Sequence, residues 1–268
     1  MDRDIQNYDE YASRMDRSMM DKAFFVDKTD AGLVVDFGCG SGALLGIVGH
    51  WMPESRLVGY DTDQEMLDIA SANLLKDVPD VTQRAFLTTS WHQVCDEVFQ
   101  AKQNGRKSLL VLSSVVHEVY NYSAPNDVRN FWKRAFETGF DYIVLRDMMP
   151  SFSIDRPSDV NDVSKVYSRF LHTRELTDFE RCWGSVENNK NLVHFLLKYK
   201  YVVPNWEREV AENYFPLYRE DFLSMIPGTH SVLFHEHYVL PHIKRTVVDE
   251  LGIEIKDPTH LKAILRSA

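Results

Sequence analysis

The sequence is poor in the residues that staple small folds. Only three cysteines occur in 268 residues, Cys39, Cys95 and Cys182, and they lie far apart. That spacing excludes a disulfide framework and a cysteine metal site, and it fits a reducing, intracellular setting. Long apolar runs are also missing. No stretch reaches the roughly 18 apolar residues of a membrane span. Met1-Asp2-Arg3-Asp4 opens without the apolar segment of a secretory signal. The expectation is a soluble, cytoplasmic protein with no membrane partner. Positive charge is in deficit, with 30 Lys and Arg against 40 Asp and Glu, a net −10. This argues against coating nucleic acid by charge alone, though it leaves room for a local basic patch. Internal repeats and low-complexity tracts are absent. Apolar side chains are plentiful, at 44% hydrophobic and 12% aromatic, so a packed core is within reach. The length suits one large α/β domain with insertions, or two small ones.

The chain is organised around residues 32–50. Gly32 to Phe37 reads as a buried strand. It breaks into Gly38-Cys39-Gly40-Ser41-Gly42, after which residues 43–50 resume at helical spacing. Strand, glycine turn and helix let backbone N–H groups approach a ligand closely. About twenty residues later a second apolar run, Leu57-Val58-Gly59-Tyr60, ends in Asp61. An acid at the tip of a second strand can accept two hydrogen bonds from a ribose diol.

Asp36-Phe37-Gly38-Cys39-Gly40-Ser41-Gly42 resembles the D-x-G-x-G-x-G signature of class I methyltransferases that use S-adenosylmethionine. Asp61-Thr62-Asp63-Gln64-Glu65-Met66-Leu67 resembles the segment after their second strand. The resemblance spans residues 30–147 and, more weakly, 217–266. The rival is a dinucleotide-binding turn, since Gly38-Cys39-Gly40-Ser41-Gly42-Ala43 also fits G-x-G-x-x-A. Asp36, two residues before the first glycine, favours the methyltransferase, where an acid there faces the methionine end of the cofactor. The resemblance implies an α/β, Rossmann-like fold, a mostly parallel seven-stranded sheet with helices on both faces, to which this chain adds a helical insertion after strand five. It implies S-adenosyl-L-methionine as cofactor. Its contacts would be Asp36, Gly38, Cys39, Gly40, Gly42, Asp61, Thr62, Met66, Thr89, Ser90, Trp91 and Ser113. Relatives carry an acid or amide after strand three. Here Thr88, Thr89 and Ser90 stand there, with hydroxyls able to meet a base edge and Trp91 able to lie on its face.

In chain order, residues 1–30 read as a helical cap, with Tyr8, Tyr11 and Met15 on one face and Tyr11 or Lys22 as candidate ligand contacts. Strands are expected at 32–37, 57–61, 81–87, 108–113, 142–146 and 231–240. Residues 259–266 suit a last strand or a helix. Helices are expected at 43–50, 64–76, 127–137 and 241–251. The whole chain, 1–268, reads as one domain with residues 148–216 as a helical lid over the strand ends, where open α/β sheets bind ligands. Short helices are expected there at 160–170, 177–183 and 192–199, and another follows at 217–226. The lid carries Lys198, Tyr199, Lys200, Tyr201, Trp206 and Arg208. Aromatics with cations can stack bases, and they also build helical cores. His235, Glu236, His237 and His242 cluster in sequence, but one tight pair lacks a third ligand, so no metal is expected.

Strand four leads into Ser113-Ser114-Val115-Val116-His117-Glu118-Val119-Tyr120, similar to the segment that lies beside the cofactor in methyltransferases. No Asp-Pro-Pro-Tyr or Asn-Pro-Pro-Tyr motif is present, against an exocyclic-amine DNA methylase. His117 is the candidate base and Glu118 its partner. Tyr11, Tyr120 and Arg146 are candidate acceptor contacts. The expected activity is methyl transfer to an oxygen or nitrogen of a small polar acceptor. The alternatives are an RNA or nucleotide methyltransferase using the aromatic-basic insertion, and a non-catalytic S-adenosylmethionine-binding protein. Nothing in the pattern specifies an oligomeric state.

Overall fold

The computed structural model describes residues 19–200 and 205–268. Tyr8, Tyr11, Met15 and Tyr201, singled out above, lie outside them. The chain forms two compact units. Among described residues, one holds 19–147, 226–236 and 262–268, and carries the sheet. The other holds 148–225 and 237–261, and is mainly helical. The first boundary falls where the sequence reading starts its insertion.

The sheet has seven strands in the order β3-β2-β1-β4-β5-β7-β6. They are β1 (Leu33–Phe37), β2 (Arg56–Tyr60), β3 (Ala85–Thr88), β4 (Ser108–Ser113), β5 (Tyr142–Met148), β6 (His230–Tyr238) and β7 (His260–Ser267). The pairs from β3 to β5 are parallel. β7 runs against both neighbours: Ser267 bonds Asp141 at one end and Thr259 bonds Met149 at the other, while Ala268 meets Thr229 and Thr259 meets Tyr238. β1 and β4 lie at the centre and are apolar at nearly every position, as a sheet covered on both faces requires.

The helices of this unit are α1 (Met19–Lys22), α2 (Ala43–Trp51), α3 (Gln64–Asp77), α4 (Pro79–Thr82), α5 (Trp91–Gln103), α6 (Val116–Tyr122) and α7 (Pro125–Glu137). The Asp63 carboxylate caps α3 by accepting from Glu65 N. Two differences from the sequence reading stand out. β3 begins at Ala85, not Val81, because Pro79 at the first helical position starts a turn of helix instead. The sequence reading also left out α5, which buries Val94, Val98 and Ala101 along one face. Residues 259–266 resolve as a strand. One core, centred on Val34, Leu45, Leu57, Leu109, Val144 and Ile264, packs this unit together.

The other unit contains α8 (Val160–Phe170), α9 (Arg174–Trp183), α10 (Asn189–Lys198), α11 (Trp206–Ala211), α12 (Arg219–Met225) and α13 (Pro241–Leu251). It has its own core around Phe179, Phe195, Trp206, Phe215 and Ile255. Among the described residues no helix is long and apolar enough to cross a membrane.

Candidate functional site

The turn after β1 bends through three glycines with positive φ, Gly38 at 71°, Gly40 at 50° and Gly42 at 80°. That backbone is easy only for residues without Cβ. Gly38 must also be small: a Cβ there would meet Val115 Cγ2 at 2.8 Å. The turn is tied to β2 by Gly38 N and Cys39 N, both donating to Tyr60 O. Asp61 completes the clamp. Its Oδ2 accepts Gly40 N at 3.0 Å, and its Oδ1 accepts Asp63 N at 3.1 Å. Each oxygen keeps a second lone-pair direction. Met66 borders the turn, its Cε 3.7 Å from the place of a Gly40 Cβ. Thr62 is exposed on the same loop.

Asp36 is buried at the end of β1. Burial pushes its carboxyl up to about 7, Asp61 adds to the rise, and Lys22 opposes it. Cys39 is buried, and burial with Asp36 and Asp61 raises its thiol, so it is a packing residue and not a nucleophile.

The segment after β3 is less open than expected. The buried Thr88 hydroxyl pairs with Gln93 and accepts Ser90 N at 2.9 Å, so it serves the start of α5. Thr89 is exposed. The Trp91 ring joins an aromatic cluster with Tyr60 at 5.3 Å, Phe37 at 5.6 Å and Phe140 at 6.4 Å.

The tips of β4 and β5 bring several titratable side chains together. His117, in the first turn of α6, is buried with Nδ1 2.6 Å from Asp147 Oδ1. Asp147 Oδ2 accepts Val116 N at 2.7 Å and His117 N at 3.3 Å. One carboxylate thus caps the helix and orients the imidazole. Donation from Nδ1–H to that carboxylate makes Nε2 the basic nitrogen. Glu118 is half-buried in the next position, and the Tyr120 hydroxyl accepts Trp132 Nε1 at 3.1 Å. Arg146 is buried at the end of β5, in register with Ser113 of β4. Its Nε donates to Asp21 at 2.9 Å and its Nη1 to Ser114 Oγ at 2.9 Å.

Lys22 belongs to this group. Burial and Arg146 lower its ammonium to about 8, against the pull of Asp36, Asp147 and Glu118. Asp147 and Asp21 were missing from the expected site. The signal for Asp147 was its place at the carboxyl end of a central strand. Asp21 carried none. Of the aromatic-basic residues of the insertion, Lys198, Tyr199 and Trp206 are core components, whereas Lys200 is exposed and Arg208 half-buried. Lys198 is fully buried, donating to Glu209 O and Glu212 O, and Tyr199 and Trp206 are buried. His237 is engaged with Met149 O at 2.9 Å.

No family model and no curated protein matches the chain. Solved structures do. The pyocyanin biosynthetic protein PhzM is 14% identical, with a TM-score of 0.52 over 98% of this chain and 60% of that one. TnmH is 11% identical, with a TM-score of 0.51 over 96% and 57%. The methyltransferase domain of bacterial CtHen1-C is 16% identical, with a TM-score of 0.46 over 94% and 98%. At these identities the likeness is one of fold. With its mostly parallel seven-stranded sheet and surrounding helices, the chain has a Rossmann-like α/β fold.

Proposed function

We propose that the chain is an S-adenosylmethionine-dependent methyltransferase acting on an oxygen or nitrogen atom of a small polar acceptor. One observation carries the reading. The glycine turn packs directly on Val115 through Gly38, two residues ahead of His117, whose imidazole Asp147 locks. Ligand cradle and candidate base are therefore neighbours by construction.

The residues present fit the cofactor. Asp61, at the tip of β2, has lone pairs left for a ribose diol. Asp36 offers a buried acid for an ammonium group. When bound, the cofactor supplies an electrophilic methyl group on a sulfonium sulfur. The protein's part is to hold the acceptor atom in line with it, which can supply about 7–11 kcal/mol of a barrier. His117 takes the proton that the acceptor loses, and Asp147 stabilises the imidazolium that results. The three cysteines are unpaired, in keeping with a cytoplasmic location.

Calorimetry and a labelled-methyl assay test the proposal together. S-adenosylhomocysteine is expected to bind with micromolar affinity, roughly −8 kcal/mol, and label is expected to move to small hydroxyl or amine compounds. Tight NADH binding with no response to S-adenosylhomocysteine would overturn it.

A further inference from the structure

Arg146 and Ser113 share an unmet demand. They are in-register neighbours on parallel strands, so their side chains stand on the same face at the sheet's carboxyl end. Arg146 is 4% exposed. Asp21 holds its Nε and Ser114 Oγ holds its Nη1, but among the described residues the buried Nη2 has no partner. The buried Ser113 Oγ has none either. Buried donors are nearly always satisfied, so two orphans side by side mark a place for an acceptor of hydrogen bonds. The residue that accepts from Nη1 has an uncommon backbone conformation. Ser114 has φ 55°, in the left-handed region, and its N donates to Arg146 O at 2.8 Å.

The chemistry of the missing partner follows from the surroundings. A guanidinium edge with a hydroxyl beside it matches the two oxygens of a planar carboxylate. Asp21 is shared, since Lys262 Nζ lies 2.7 Å from its other oxygen and also 3.4 Å from Glu236. Asp36, Asp147 and Glu118 act on nearby Lys22. These acids already have Lys22 and Lys262 as counter-charges, and the unmet pair is one guanidinium N–H and one hydroxyl, which a planar carboxylate answers with one bond to each oxygen.

We infer that Arg146 Nη2 and Ser113 Oγ form a carboxylate-binding subsite, and that the methyl acceptor is a hydroxy or amino acid held there by its carboxylate. The inference rests on the methyltransferase reading for the word acceptor. The subsite itself does not.

The test uses the full chain and a panel of small hydroxy and amino carboxylic acids, each beside its primary amide. Melting temperature is read with and without saturating S-adenosylhomocysteine, and methyl transfer is read with labelled S-adenosylmethionine. Acids are expected to stabilise the protein where their amides do not. Methylated compounds are expected among the acids. Ser113→Ala and Arg146→Lys are expected to weaken acid binding at least tenfold and to erase the acid-over-amide preference. Equal stabilisation by acids and amides, or a preference that survives both variants, overturns the subsite. S-adenosylhomocysteine is titrated into the same variants. A loss of its affinity as large as that of the acids puts the cofactor's own carboxylate on Arg146, and overturns the acceptor assignment. If the wild-type chain ignores S-adenosylhomocysteine but still discriminates acid from amide, the methyltransferase reading fails and the subsite stands.

Discussion

Asp147 holds His117 from two directions at once. One carboxylate oxygen lies 2.6 Å from the ring nitrogen, and the other accepts the N–H groups of Val116 and His117 that open the helix. The imidazole's angle and the helix's start are set by the same group. His117→Ala is expected to lower turnover by about 10²–10⁴-fold, leave cofactor affinity nearly unchanged and remove the acidic limb of the pH profile. Asp147→Asn should fall between that variant and wild type, because an amide can still accept the helix N–H groups but stabilises an imidazolium poorly. Steady-state kinetics across pH would decide. An intact acidic limb in the His117 variant would remove it from catalysis.

Under the proposed function Asp61 adds a ribose contact to its structural bonds, and one substitution should expose both. Asp61→Ala deletes the acceptor for Gly40 N and Asp63 N, bonds to a charged group worth about 1.5–3 kcal/mol each. Cofactor affinity should fall at least tenfold, and the ligand-free protein should also lose stability. Calorimetry and chemical denaturation on the same sample would show it. Unchanged affinity in a folded variant would place the ribose elsewhere.

Gly38 offers a double-mutant cycle. Gly38→Ala meets Val115 Cγ2 at 2.8 Å and sits at φ 71°. The backbone cost alone is about 1–2 kcal/mol. Val115→Ala in the same chain should recover the clash but not the backbone part. Denaturation midpoints of the two single variants and the double should therefore be non-additive. Strict additivity would mean that the turn and the His117 segment do not press on each other.

The buried pair Asp36 and Lys22 gives the ligand-free protein an unusual pH dependence. Between the ordinary 3.8 and about 7, folded Asp36 keeps a proton that the unfolded chain has lost, so its contribution declines as pH rises. Between about 8 and the ordinary 10.5, folded Lys22 has released a proton that the unfolded chain retains, so its contribution grows with pH. The pair is least favourable from pH 7 to 8. The stability difference between wild type and Asp36→Asn should change by up to about 1.4 kcal/mol per pH unit between pH 5 and 7. Denaturation at several pH values measures it, and a flat difference would refute the raised carboxyl.

The glycine turn, the strands beside it and the acid after β2 were legible because each is a local pattern: an apolar run, glycines at positive φ, and a carboxylate at a strand tip. His117 was legible through its place after an apolar strand. Asp147 and Asp21 were not, because their partners lie far off in sequence. His117 is 30 residues from Asp147, and Arg146 is 125 residues from Asp21. Sheet order brings the strand end before His117 beside Asp147, and the placement of α1 brings Asp21 to Arg146. β3 was misjudged because Val81 is as apolar as a strand residue, and only the proline two positions earlier gives its helix away. Lys198 and Trp206 look like a basic, aromatic surface in one dimension. Lys198 can be buried because it finds two backbone carbonyls inside, and Trp206 because its indole N–H finds Asp178.

β7 lies between β5 and β6, with Leu261, Ala263, Ile264 and Leu265 fully buried. A ribosome makes it after every other strand. The sheet therefore cannot close until residues 260–267 emerge: until then β5 waits with an open flank, and β6 has no neighbour. The nascent protein must keep two sticky edges apart from other chains until β7 emerges, and a truncation just before β7 would leave both exposed to aggregation.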